Sequence, residues 1–424
     1  MLHPRLHLPR LHISRLPLIA VAVSIAACGG AYAVNADAEN PADTVAQASA
    51  STPANVGPVA ATPVADAPFT MTEVGDFDDP WAIAMLPAAP DSLAQALVTE
   101  KSGRLMLWQS GGPIREIAGT PRVSYAGQGG LGDVVLAPDF AASRVVYLSW
   151  VATGLGGKGA VLGRARLSDD AGALENLTII WRANPFMSGN GHFGHRIAFG
   201  PDGMLYLATG ERQAFEPAQD LRSNLGKVLR LNPDGSTPND NPFVSRADTS
   251  PGLTASQRAA MRQIWSYGHR NPLGIAFDAD GRLWELEMGP AGGDELNIVS
   301  RNANYGYPRV SNGDHYDGRN IPDHAPGDGF IAPALWWNPA MSPGGMIIYT
   351  GDAFAAWRGD AFIAALGGEA LIHVNLDGAA ATQGNRWATD MRLRALAQGA
   401  TGAIMVLEDG GDRGRGRLFR LTPR

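Results

Sequence analysis

From residue 69 onward the apolar positions fall in short runs separated by turn residues, and long helical periods are nearly absent. Leu205-Tyr206-Leu207-Ala208-Thr209 follows Pro201-Asp202-Gly203, and Arg282-Leu283-Trp284-Glu285-Leu286 follows Asp278-Ala279-Asp280-Gly281. The same turn-then-strand order recurs at residues 137–150, 357–365 and 400–407, and more weakly at residues 88–99. Many copies continue into a second strand, as in Gly226-Lys227-Val228-Leu229-Arg230-Leu231 ahead of Asn232-Pro233-Asp234-Gly235. Asp-Gly between β-rich runs signals a hairpin, because these residues accept the backbone angles of a tight turn. Repeats of this kind mean a propeller or an array. Six copies in residues 69–424 leave about 59 residues each, room for a four-stranded blade and its loops. The expected fold is all-β: one closed six-bladed β-propeller with four-stranded antiparallel blades and a central mouth where loops converge. Residues 254–264 read as a short helix within a loop.

The first 68 residues do not share this pattern. Arg5, Arg10 and Arg15 precede an apolar run of about a dozen residues, too short for a membrane span. This reads as a secretory signal peptide. The run ends Ile25-Ala26-Ala27-Cys28-Gly29, which resembles a bacterial lipobox and implies a lipid anchor on Cys28. The alternative is ordinary cleavage after Ala31-Tyr32-Ala33. Either way the expectation is an exported protein, periplasmic or at the cell surface. Residues 29–68 are rich in Ala, Pro, Thr and Ser with almost no large apolar side chain, and read as a disordered tether.

Composition narrows the function. The chain has 424 residues, 34 Lys+Arg and 41 Asp+Glu, a net charge of −7, and so lacks the basic footprint of a nucleic-acid binder. Its hydrophobic share of 45% excludes a wholly disordered protein. The single cysteine excludes an internal disulfide and a Cys-cluster zinc site. Neither a G-x-S-x-G elbow nor H-E-x-x-H is present.

Four loop stretches carry candidate chemistry. The glycine loop around Gln128 has no P-loop spacing and by itself reads as a tight turn. His192, between Gly191 and Phe193, is either a general base near neutral pH or a surface or capping histidine. Arg270-Asn271 offers a guanidinium fork and an amide, for a carboxylate ligand or for loop carbonyls. Gly289-Pro290 through Asp294-Glu295 combines carbonyls and acids, which suits a hard cation or a solvated turn. Arg392 and Arg394 alternate around Leu393, so both face one side, toward an anion or water.

In combination these motifs resemble the soluble PQQ-dependent glucose/sorbosone dehydrogenases, the aldose sugar dehydrogenase branch most closely. The resemblance rests on Gly127-Gln128-Gly129-Gly130-Leu131, His192 before Arg196-Ile197-Ala198-Phe199-Gly200, Gly268-His269-Arg270-Asn271-Pro272, and Gly289-Pro290 through Asp294-Glu295 to Asn304-Tyr305-Gly306, in that order. It implies pyrroloquinoline quinone (PQQ) over the central mouth and Ca²⁺ beside it. His192 matches the family's general base, Arg270 and Asn271 match residues on the cofactor, and Arg392 and Arg394 match arginines facing its carboxylates. Gln128 matches a residue lining the sugar site. Gly289 and Pro290 match carbonyls that hold the catalytic Ca²⁺, and Glu295 and Tyr305 match a second, structural Ca²⁺ region. The implied partners are an aldose substrate and a quinone or cytochrome electron acceptor, with the protein a monomer.

Two positions depart from the glucose-dehydrogenase branch. Gly367 stands where a lysine binds the cofactor, and Gly191 stands where an acid precedes the base, with an additional histidine at His195. Two other readings therefore remain: a Ca²⁺-dependent propeller lactonase or esterase, and a non-catalytic tethered propeller that binds glycans or proteins.

Overall fold

The computed structural model describes residues 54–87 and 93–424. Six antiparallel sheets follow one another along the chain. Blade one comprises Pro80–Met85, Gln95–Glu100, Leu105–Gln109 and Arg115–Ile117. Blade two comprises Leu131–Leu136, Val145–Gly154, Gly157–Leu167 and Leu174–Arg182. Blade three comprises Gly194–Phe199, Leu205–Thr209, Lys227–Leu231 and Ile264–Tyr267, and blade four Pro272–Phe277, Leu283–Glu287, Asp294–Val299 and Leu335–Trp337. Blade five comprises Pro343–Ile348, Ala361–Ala365, Ala370–Asp377 and Ala380–Ala388. Blade six takes Leu393–Gln398, Ile404–Glu408 and Arg415–Pro423 from the C-terminus and its outermost strand, Phe69–Asp78, from the other end of the propeller sequence. That pairing locks the disc shut.

The first strand of each blade lies against the first strands of both neighbours, so the six form a closed ring. An apolar core fills each seam between blades. Leu148 and Val161 of blade two meet Leu97 and Leu105 of blade one, and Phe362 and Leu371 of blade five meet Val406 and Leu421 of blade six. Strands such as Leu205–Thr209 and Ala361–Ala365 are buried along their whole length because both faces pack on a neighbouring blade. The expected turns are present: Gly203 and Gly281 close the hairpins of blades three and four at φ 73° and 80°, the left-handed region that glycine enters without a Cβ penalty. The turn expected at residues 88–91 lies outside the described residues. The short helix is Ala255–Gln263, started by a reciprocal cap in which Thr254 Oγ1 accepts from Gln257 N–H at 3.2 Å and Gln257 Oε1 accepts from Thr254 N–H at 3.0 Å.

Every first strand carries a register shift near its start, at Pro80/Ala82, Leu131/Val134, Gly194/Ile197, Pro272/Gly274, Pro343/Gly345 and Leu393/Ala395. A bulge bends the strand and re-aims the side chains beside it. Six bulges at the same end of the ring splay those ends around one mouth.

The signal peptide, the Cys28 lipobox and residues 29–53 of the expected tether lie outside the described residues. The rest of that tether differs from the expectation. Ala54–Val56 pairs in parallel with Leu335–Trp337, and Thr62–Pro63 with Trp387–Ala388, as fifth strands on blades four and five. Ala67 is buried in the seam core between blades five and six. Backbone pairing to an open sheet edge orders this segment, and that opportunity is invisible to composition.

Candidate active site

A cavity of about 260 Å³ occupies the bulged end of the ring. All six blades supply its wall: Trp81, Gln128, His195, Asn271, Leu366 and Arg394 each come from a different blade or from the loop leading into it. The wall is cationic. Arg392 and Arg394 both line it, as their alternation predicts, and both pair with Asp409, Arg394 at 3.1 Å and Arg392 at 3.4 Å. Lys101 lines it too, held by Asp79 at 3.1 Å. Burial pushes the Asp409 carboxyl up, but the two arginines outweigh it and hold the group below the usual carboxylate range.

His192 stands next to Phe193 of this wall, and its backbone N–H donates to Gln128 Oε1 at 2.7 Å. Its ring Nδ1 lies 2.5 Å from Glu211 Oε1. Glu211 is fully buried and also accepts from the backbone N–H of Gln213, Ala214 and Phe215. Burial pushes Glu211 up, but the His192 bond and these amides leave it below its ordinary value. An acceptor-only carboxylate at Nδ1 fixes the tautomer: the proton sits on Nδ1 and the Nε2 lone pair is free. Burial lowers the His192 pKa, and Glu211 only partly offsets that. The backbone at His192 is at φ 48°, an uncommon conformation that the Gly210 approach and the Gln128 bond hold in place.

His195 lies parallel to Trp81 with ring centroids 4.9 Å apart, and Arg196 stacks on the same indole at 3.8 Å. Ser149 Oγ donates to the His195 carbonyl at 2.7 Å, so it accepts from His195 Nδ1 at 2.8 Å and the ring's Nε2 is an acceptor. Burial, with Arg196 beside it, pushes His195 down to about 3.

Arg270 reaches under the mouth. Its Nη1 donates to the carbonyls of Met288 at 2.8 Å and Gly289 at 2.6 Å. Its Nε, and Asn271 Nδ2, are buried without a hydrogen-bond partner. Asn271 Oδ1 accepts from Gly194 N–H at 3.2 Å, which leaves the amide's donors for the cavity. Gly289 lies where the carbonyls of Gly292 and Gly293 crowd its Cα, 2.2–2.3 Å from any Cβ it would carry, and Asp294 accepts its N–H at 2.9 Å. A gap of about 10 Å³, the size of one ion or water, is lined by Gly289, Glu295, Tyr305, Arg270 and Glu287 among others. The two expected Ca²⁺ regions thus share one gap. Pro290 is buried in the same turn but does not line it. Tyr305 is also tied down by its hydroxyl, which donates to Ile298 C=O at 2.5 Å.

Sequence reading missed Glu211, Asp409 and Lys101 as members of the site. Each is far along the chain from the group it serves, and no local spacing marks it. At Gly367 a Cβ would lie 2.8 Å from Ser342 Oγ, so a side chain there needs Ser342 to move.

Fold and site together define a six-bladed propeller whose mouth holds a cationic cavity beside a carboxylate-oriented histidine. The sequence model of the glucose/sorbosone dehydrogenase family matches residues 77–420, and the chain belongs to that family. It is 39% identical over 355 residues to the aldose sugar dehydrogenase YliI of Escherichia coli K12, an alignment covering 82% of this chain and 91% of that protein. The crystal structure of the E. coli soluble aldose sugar dehydrogenase in its apo-form superposes with a TM-score of 0.76 at 37% identity, covering 84% of this chain and 100% of that one. The PQQ-bound aldose sugar dehydrogenase of Streptomyces coelicolor superposes with a TM-score of 0.66 at 27% identity, covering 84% and 98%.

Proposed function

We propose that this chain is an exported, PQQ-dependent aldose dehydrogenase that oxidises the C1 hydroxyl of aldoses to lactones. The observation that carries this is His192, held by Glu211 with Nε2 free, beside a cationic cavity. An imidazole fixed in that tautomer takes the hydroxyl proton at Nε2, and Glu211 stabilises the imidazolium that results. When bound, PQQ supplies the acceptor for the hydride that leaves C1 as the proton goes to His192.

The residues present suit that cofactor. Arg392, Arg394 and Lys101 offer charge to its carboxylates, and the unpartnered Asn271 Nδ2 and Arg270 Nε offer donors to its ring oxygens. Lys101 takes over the cationic role left open at Gly367. Gln128 positions the sugar while its Oε1 holds the His192 backbone. The carbonyls around Gly289 and Pro290 suit Ca²⁺, an oxygen-seeking ion, in the gap bounded by Glu295 and Tyr305. We assign export to the N-terminal segment, anchorage to Cys28, and electrons onward to a quinone or cytochrome.

The test is a titration of the purified protein with PQQ in Ca²⁺, followed spectroscopically, then addition of glucose and other aldoses with a dye acceptor. Binding followed by sugar-dependent reduction is expected, with reduction lost in His192→Ala while PQQ still binds. Protein that binds no PQQ, or that hydrolyses lactones without it, overturns the reading.

A further inference from the structure

Blade four carries a second polar cluster on the face it turns to blade three. Glu285 and Glu287 lie two apart on Leu283–Glu287, so their side chains share one face. Their cross-strand partners are Asn297 and Glu295. His269, from the loop that enters blade four, is fully buried beside them. One amide group, Asn297 Nδ2, spans all three carboxylates, at 3.0 Å from Glu285, 3.4 Å from Glu287 and 3.3 Å from Glu295. Its two hydrogens cannot serve three carboxylates at once, and burial together with the neighbouring acids pushes Glu285 and Glu295 well above the usual carboxylate range.

The decisive group is His269 Nδ1. It is buried, makes no hydrogen bond, and points between two carboxylates, 3.7 Å from Glu285 and 3.6 Å from Glu287. Glu285 Oε1 is likewise without a partner. The other ring nitrogen, Nε2, lies 2.8 Å from Ser266 Oγ, and the ring is stacked on Tyr305 at 4.6 Å. A histidine whose Nε2 is engaged by an oxygen, with Nδ1 aimed at carboxylates too far for hydrogen bonding, has the arrangement of a metal ligand with its outer partner in place. Donor atoms bound to one cation at about 2.1 Å sit about 3–4 Å from one another, as His269 Nδ1 does from each of the two carboxylates. One ligand atom each from His269, Glu285 and Glu287 lies within 4.8 Å of the others.

We propose that His269, Glu285 and Glu287 bind one divalent transition-metal ion of the Zn²⁺ or Mn²⁺ type. Imidazole selects against Ca²⁺ and Mg²⁺, and the absence of any sulfur ligand leaves borderline nitrogen- and oxygen-seeking ions. Glu287 Oε2 already accepts the backbone N–H of Arg270 at 2.5 Å and of Asn271 at 3.2 Å; the ion neutralises the charge that these bonds and Asn297 leave, and further fixes the loop that carries Arg270 and Asn271. Glu287 also lines the carbonyl-rich gap at Gly289, but His269 and Glu285 do not, and the proposal does not depend on the dehydrogenase reading.

The test is metal analysis of the full chain purified without chelator, then of chelator-stripped protein titrated with Zn²⁺, Mn²⁺ or Ca²⁺ while melting is followed. One equivalent of Zn²⁺ or Mn²⁺ is expected, with a rise in melting temperature that Ca²⁺ does not reproduce. His269→Gln and Glu285→Gln should each lose the ion, and Ser266→Ala should bind it about 10–100-fold more weakly. Where a variant does not fold, anomalous diffraction from Zn²⁺-soaked wild-type crystals decides, with a peak about 2.0–2.1 Å from His269 Nδ1. Protein that takes up neither ion, an ion retained in both ligand variants, a preference for Ca²⁺, or a peak elsewhere overturns the proposal.

Discussion

The two faces of blade four are made from alternate residues of the same strands, yet they differ in kind. Trp284, Leu286 and Leu296 face blade five, where they join Met346, Ile363 and Ile372 in an unbroken apolar seam. Glu285, Glu287, Glu295 and Asn297 face blade three, and only Ile275, Leu283 and Val299 of blade four join Tyr206, Ala208 and Val228 of blade three as the buried members of an apolar core. Both faces are buried, so exposure does not explain the difference. One seam maximises apolar burial, which is the ordinary solution to holding blades together. The other gives up that burial along the half nearest the mouth, directly beneath Arg270 and close to His192. A fold breaks its own packing rule where function requires it. The comparison teaches that the blade-three/blade-four seam is built for chemistry and the blade-four/blade-five seam for cohesion.

The sharpest way to test this division is to separate activity from stability. His192→Ala or Glu211→Ala, at the top of the chemical seam, should lower kcat by about 10²–10⁴-fold, the usual worth of a general base. The melting temperature should move little in His192→Ala, whose side chain joins no apolar core, whereas Glu211→Ala should also lose stability because it strands the buried backbone N–H groups of Gln213, Ala214 and Phe215. Steady-state kinetics beside calorimetry on each variant is the check, and an intact kcat in both would break the assignment. Leu286→Ala, in the cohesive seam, should do the reverse. It should cost about 2–5 kcal/mol of stability by leaving a cavity in a fully buried position, with kcat per folded molecule unchanged. Denaturant melts followed by an activity assay on the folded fraction decide it.

A smaller effect comes from pH. His195 stays neutral in the fold down to about 3, because it is buried beside Arg196, itself paired with Asp133. The unfolded chain takes up this proton near the ordinary histidine value of about 6.5. Between those values the unfolded state binds more protons, so the stability is fully present above about 6.5 and is lost as pH falls. The loss is about 1.4 kcal/mol per unit, or about 2 kcal/mol by pH 5. His195→Asn, which tolerates the residue's φ of 61°, should remove this part of the acid sensitivity. Denaturation at pH 7 and pH 5 measures it, and an unchanged slope refutes it.

Much of the architecture was legible because each blade repeats a turn that glycine and aspartate mark, and because strands packed on both faces read as continuous apolar runs. The mouth was legible in part: His192, Arg270 and Asn271 sit among glycines and carry distinctive side chains. Glu211 and Asp409 were not, because each acts across a loop on a residue 15 or more positions away, where no periodicity links them. The cluster on blade four was hidden in a different way. Alternation at Trp284-Glu285-Leu286-Glu287 is the signature of a strand with one wet face, whereas a neighbouring blade covers that face and makes its carboxylates a buried cluster. The edge strands Ala54–Val56 and Thr62–Pro63 escaped notice because main-chain pairing needs no side-chain signal.

The smallest expected effect concerns Lys101, and it tests whether the chemical end of the molecule extends across the mouth to blade one. Lys101 is one of three cations on the cavity wall, and Asp79 already holds its ammonium at 3.1 Å. Tyr125 donates to the same carboxylate at 2.7 Å, and that bond, with burial, pushes the phenol up to about 12. A lysine shared with a carboxylate in a wet cavity adds only part of a full charge to an incoming anion, because water and Asp79 both screen it. Lys101→Ala should therefore weaken PQQ binding by about tenfold, near 1.4 kcal/mol, rather than abolish it. Lys101→Arg should restore most of the loss. Arg394→Ala, which removes a more deeply held cation from the same wall, should weaken binding further. Equilibrium titration with PQQ at low and high salt reads all three, and salt should narrow the gap between wild type and Lys101→Ala. If Lys101→Ala binds PQQ as tightly as wild type at low salt, blade one is only scaffold and the cofactor's charge rests on blade six alone.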